Sequence, residues 1–103
     1  MITVIENEKM DEVFASPYAV VDFSATWCGP CRMLAPLMEE LSDELDGKVA
    51  FFNVDVDDNP TLAQAFGVRS IPALAVMKDG EVVDTAVGFM PKDALRDFIT
   101  GKM

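Results

Sequence analysis

The chain has 103 residues, the length of one domain over 1–103, and half of its side chains are apolar, enough for a core without cross-links. Its 18 acidic and 8 basic residues give a formal net charge of -10, which argues against non-specific binding to nucleic acid or an anionic membrane. Only two cysteines are present and no histidine, so neither a disulfide-stapled secreted fold nor a four-ligand zinc site is available to one copy.

In chain order, Ile2 to Ile5 reads as a weak first strand. Asn7 is placed to cap a short helix with Met10, Val13 and Phe14 on its inner side, and Pro17 ends it. Ala19 to Phe23 is nearly continuous in apolar residues, the pattern of a strand covered on both faces. A longer helix follows with Leu34, Leu37, Leu41 and Leu45 on one side, a kink expected at Pro36 and an end near Gly47. Val49 to Val54 reads as a second buried strand. Asn59 and Pro60 supply the cap and first position of a helix carrying Leu62 and Phe66, stopped by Gly67. Ala73 to Met77 and Val82 to Val87 form strands joined by Asp79-Gly80, a dipeptide suited to a tight antiparallel hairpin. Pro91 opens a last helix with Leu95, Phe98 and Ile99 facing inward. The order β-α-β-α-β-α-β-β-α predicts an α/β protein: a mixed sheet with helices on both faces and a hairpin at its end.

Cys28 and Cys31 follow the buried strand and open the long helix. A bridge between them closes a loop too small to stabilise the chain much, which leaves redox cycling as the better use. Pro30 fits the first helical turn. Cys28 at the helix N-terminus meets free amides and the positive end of the helix dipole, both of which favour a thiolate. Cys31, one turn on, is placed to resolve a mixed disulfide. In a βαβ setting this spacing is a strong signal.

Trp27-Cys28-Gly29-Pro30-Cys31 resembles the active-site motif of the thioredoxin family. The similarity extends over Val21-Asp22-Phe23, Ala35-Pro36, Val56-Asp57-Asp58-Asn59-Pro60, Phe66 to Pro72, Lys78 to Glu81 and Val87-Gly88. It implies the thioredoxin fold, a five-stranded mixed sheet of order 1-3-2-4-5 with the fourth strand antiparallel to its neighbours, flanked by four helices. It also implies thiol–disulfide oxidoreductase activity: reduction of protein disulfides through a reversible Cys28–Cys31 disulfide.

Asp22 alone would be read as a strand-end residue facing solvent. The resemblance instead makes it a buried carboxylate with a raised pKa that assists Cys31 as general base. Asn53 stands where many relatives carry a lysine near this aspartate, and Ser24 where many bacterial members have a second tryptophan. Pro72 alone would be read as a trans proline at a strand start; the Arg69-Ser70-Ile71-Pro72 context implies a cis bond beside the cysteines. That leaves the Ile71 backbone free to pair with an extended substrate. Trp27, Gly29, Pro30, Val56, Ile71, Pro72, Val87 and Gly88 are implied to border a shallow apolar groove around Cys28. Phe89 is larger than the residue usual after the glycine, and Ala73 stands where many relatives carry threonine.

No Gly-rich dinucleotide fingerprint occurs, so no cofactor is expected on this chain. NADPH and flavin are expected only in the partner, a thioredoxin reductase. Met1 to Asn7 lacks a signal-peptide pattern and no apolar run nears the ~20 residues of a membrane span, so a cytoplasmic setting is expected. A monomer is the expected state. Two other uses of the fold stay open: a thiol oxidase or isomerase, though oxidising members usually carry His between the cysteines, and a redox-inactive scaffold or subunit of a larger complex.

Overall fold

The computed structural model describes all 103 residues. Its strands are β1 (Ile2–Val4), β2 (Tyr18–Ser24), β3 (Ala50–Asp55), β4 (Ala73–Lys78) and β5 (Glu81–Val87). Its helices are α1 (Asp11–Ala15), α2 (Gly29–Glu44), α3 (Pro60–Ala65) and α4 (Lys92–Thr100). The sheet order is β1-β3-β2-β4-β5, as the resemblance implies. β3 is parallel to β1 and β2, and β4 is antiparallel to β2 and β5. No helix is long and apolar enough to cross a membrane.

Strand alternation divides the core in two. Ala19, Val21 and Phe23 of β2 join Phe52, Val54, Ala73, Ala75 and Met77 under Met10 and Val13, with Leu62 and Phe66 packed alongside. Tyr18 and Val20 join Phe51, Leu74 and Val76 under Leu34, Met38 and Leu41 of α2 and Leu95 and Ile99 of α4. α1 and α3 therefore cover one face, α2 and α4 the other. Asp22, Ser24, Asn53 and Asp55 share the parity of Val20 and Phe51, so they fall on the α2 face at its carboxyl end. That placement puts four polar side chains beneath the start of α2.

The hairpin forms as expected, with Asp79 and Gly80 both in the left-handed region, φ 52° and 82°. α2 runs on through Pro36, which has no amide to donate in the ladder.

Two helix starts differ from the sequence reading. Asn7 and Glu8 adopt φ 55° and 58° in a turn, and α1 begins only at Asp11. Phe14 is 55% exposed, outside the core it was expected to join. Asn59 occupies the cap position of α3, yet its side chain makes no cap bond. Instead its Oδ1 accepts from the Glu8 amide at 2.9 Å, and its Nδ2 donates to the carbonyls of Asp55 (3.1 Å) and Ile5 (3.4 Å). Glu8 supplies the missing cap: its Oε1 accepts from the Leu62 amide at 2.9 Å. The two side chains have exchanged tasks, because Glu8 lies where β1 leaves the sheet beside α3.

Asn59 is fully buried, so Asn59→Ala would strand the Glu8 amide and the Ile5 carbonyl, while the Asp55 carbonyl keeps the Asn59 main-chain amide. The expected loss is about 2–3 kcal/mol in urea unfolding, with disulfide exchange per folded molecule unchanged.

Candidate active site

β2 ends at Ser24, a short loop carries Trp27, and Cys28 is the N-cap of α2 with extended backbone, φ -87° and ψ 111°. Pro30 lies in the first turn, where its missing amide leaves no gap in the ladder. Cys28 and Cys31 form a disulfide with Cα atoms 5.3 Å apart. The Cys31 amide donates to Cys28 Sγ at 3.2 Å, so the sulfur occupies the place of a capping oxygen. Both cysteines are about 5% exposed and pack with Ala25 against Val56 and Ile71.

The residues expected to form a groove fall into groups. Trp27, Val56 and Ile71 line one recess of about 200 Å³, together with Val68 and Arg69. Trp27 is 64% exposed, and its Nε1 donates to Asp57 Oδ2 at 2.8 Å, which holds the indole upright at the rim. Val87, 68% exposed, borders a separate apolar recess of about 660 Å³ over β4 and β5. Gly29 and Pro30 are exposed on the first turn of α2. Pro72 is buried, its bond to Ile71 is cis, and its carbonyl accepts from the Gly88 amide at 2.8 Å. Gly88 sits at φ 97°, a conformation that side chains with a Cβ rarely adopt. Neither the amide nor the carbonyl of Ile71 is engaged by main chain. The sequence reading missed Asp57, which is 30 positions from Trp27 and carries no periodic signal.

Asp22 is 6% exposed, which excludes the solvent-facing alternative. It lines a recess of about 350 Å³ with Ser24, Cys31, Arg32, Glu39, Asn53 and Asp55. Its Oδ1 is buried without a hydrogen-bond partner. Burial pushes the carboxyl from 3.8 up to about 6, and the nearby Asn53 amide tempers that rise. The hydrogen bonds Asn53 makes, however, go to Ser24 Oγ at 2.9 Å and to the Asp22 main-chain carbonyl at 3.4 Å. No group of three or more His, Cys, Asp or Glu side chains is arranged to hold a metal ion.

A disulfide-forming pair three positions apart at a helix N-terminus, on the carboxyl end of a mixed sheet, defines a dithiol–disulfide exchange protein. Comparison with known proteins makes the assignment specific. The thioredoxin family model matches residues 1–101. The thioredoxin of Staphylococcus haemolyticus is 49% identical over 98 residues, covering 95% of this chain and 94% of its own. That of Bacillus subtilis is 52% identical over 80 residues, covering 78% and 77%. The solved structure of a point mutant of the thioredoxin from Halobacterium salinarum NRC-1 superposes with a TM-score of 0.88 at 37% identity. That match covers 97% of this chain and 88% of the other. The chain belongs to the thioredoxin family. It is a thiol–disulfide oxidoreductase that reduces protein disulfides through its redox-active cysteine pair, and the family works without a bound cofactor.

The raised Asp22 pKa has a consequence for stability. Between 3.8 and about 6 the folded chain keeps a proton that the unfolded chain has lost. Its contribution is therefore complete below pH ~4 and disappears as the pH rises through 6. The loss amounts to about 3 kcal/mol. Asp22→Asn cannot ionise, so its stability relative to the parent should rise by about that much from pH 4 to pH 7.5. Urea unfolding of the oxidised proteins at both pH values measures it, and a constant difference would contradict the raised pKa.

Proposed function

We propose that Cys28 is the attacking thiol, Cys31 the resolving thiol and Asp22 the general base for Cys31. The observation that carries this order is the Cys31 amide donating to Cys28 Sγ at the start of α2. In the reduced protein the same donor, with the helix dipole behind it, stabilises negative charge on Cys28. Its thiolate attacks one sulfur of a substrate disulfide, forms a mixed disulfide and expels the other substrate sulfur as a thiolate. Cys31 borders the recess that holds Asp22. Asp22 takes the Cys31 proton, and the new thiolate attacks Cys28 Sγ and expels the second substrate thiolate. Two electrons pass to the substrate, and the Cys28–Cys31 disulfide is left behind.

Trp27, Gly29, Pro30, Val56, Ile71, Pro72, Val87 and Gly88 form the substrate-binding rim. The unengaged main-chain groups of Ile71 suit pairing with an extended segment, and the apolar recess beside Trp27 adds undemanding affinity. The chain acts as a single domain over 1–103, a cytoplasmic monomer that binds neither nucleic acid nor membrane. A thioredoxin reductase carrying flavin and NADPH regenerates its dithiol.

Three measurements test this reading. The protein should accelerate reduction of insulin disulfides by dithiothreitol; a folded sample without effect would instead be a redox-silent scaffold. Cys31→Ser should accumulate covalent complexes with disulfide substrates that dithiothreitol releases, whereas Cys28→Ser should form none. Asp22→Asn should slow resolution of a mixed disulfide at pH 7 by roughly tenfold or more, while leaving the first attack nearly unchanged.

A further inference from the structure

The recess beneath α2 brings the Asn53 amide beside Asp22, and the hydrogen bonds of that amide go elsewhere. β2 and β3 pair in parallel with Asp22 opposite Asn53, and Ser24 lies two residues further along the same face. The Asn53 amide has two protons. One goes to Ser24 Oγ at 2.9 Å, the other to the Asp22 main-chain carbonyl at 3.4 Å. A carbonyl can only accept, which fixes the orientation of the amide. Both protons are committed, and Asp22 Oδ1 remains buried and unpartnered.

The surrounding groups do not substitute for that donor. From α2 come Cys31 and the exposed Arg32 and Glu39. β3 brings Asp55, whose Oδ1 accepts from the amides of Asp57 and Asp58. β1 contributes Ile2 and Val4, and the β4 neighbour of Asp22 is Leu74. None of them donates a hydrogen bond to Asp22 Oδ1.

We infer that Ser24 is a positioning residue that holds the Asn53 amide on its own hydroxyl and so leaves Asp22 Oδ1 without a donor. From there the amide only tempers the raised pKa of the Asp22 carboxyl from nearby. A hydrogen bond to the ionised form would favour it and weaken it as a base. Ser24 therefore acts through Asn53, and Asn53 is a neutral side chain whose effect depends on where its amide points. This inference rests on Asp22 serving as the base for Cys31, and its test reads the two ideas separately.

The experiment follows the Asp22 carboxyl by carbon NMR in the full-length oxidised protein, comparing the parent with Ser24→Ala, Ser24→Thr, Asn53→Leu and the Ser24→Ala/Asn53→Leu double variant. Without the Ser24 hydroxyl, the amide is free to turn to Asp22, and the titration midpoint should fall by about one unit. Ser24→Thr keeps the acceptor and should restore the parental midpoint. In the Asn53→Leu background, Ser24→Ala should have no further effect, since no amide remains to redirect. An unmoved or raised midpoint in Ser24→Ala, or the same fall with Leu at position 53, overturns the inference. Stopped-flow release of a coloured aromatic thiolate from the Cys28 mixed disulfide is the second arm. If the midpoint falls in Ser24→Ala and the pH dependence of release does not follow it, the positioning role stands and the assignment of Asp22 as base fails.

Discussion

The buried central strand β2 constrains everything around it. It pairs with β3 on one side and β4 on the other, and each residue from Tyr18 to Phe23 is buried. A strand of this kind has no free face, so its register is fixed by what each side chain must meet. A slip of one residue would drive Asp22 into the apolar layer under α1 and α3, and would turn Phe23 towards the recess under α2. The apolar residues thus select the one register in which the carboxylate reaches the polar recess. The same strand delivers the chain to Cys28 at the mouth of α2, and so sets the cysteines relative to the carboxylate.

Around that strand end the two cysteines meet unlike surroundings. Cys28 Sγ receives an amide and caps a helix of 16 residues, which favours negative charge on it. Cys31 borders a recess where Asp22 is buried with Oδ1 unpartnered, and that burial favours the carboxyl holding a proton. The first environment suits a nucleophile ready before substrate arrives. The second suits a base that acts only once the mixed disulfide exists. Both are produced by main-chain geometry at the carboxyl end of the sheet, where α/β folds gather their chemistry.

What was legible in the sequence was what is local. The cysteine spacing, the Asp79-Gly80 hairpin and the apolar run of β2 each depend on residues a few positions apart, and each formed as read. The thioredoxin resemblance extended this to the sheet order and the cis bond before Pro72. The missed side-chain partners share a cause. Capping rules assign a polar side chain to its own helix, but Asn59 bonds to Ile5, Glu8 and Asp55, while Glu8 caps α3 across a separation of 54 residues. The Trp27–Asp57 and Ser24–Asn53 bonds likewise join residues about thirty positions apart. Their partners are chosen by strand pairing and loop placement, which leave no periodic trace. Phe14 escaped the core because α1 is a helix of only 5 residues, too short to bury a second large side chain beside Val13.

The destabilising burial of Asp22 suits the proton transfer proposed for it. A carboxylate at the ordinary value of 3.8 would be fully ionised at neutral pH but a feeble base toward a thiol. Raised to about 6, it remains about 90% ionised at pH 7 and is roughly a hundredfold stronger as a base. A further rise would leave most of it protonated and unable to accept. The useful range is therefore narrow, and burial alone is a blunt way to reach it. Neutral groups at Ser24 and Asn53 suit such adjustment, because a redirected hydrogen bond changes the balance in smaller steps than a charge would. The same withdrawal from water that weakens the fold at neutral pH also raises the basicity of the carboxylate, as the role proposed for Asp22 requires.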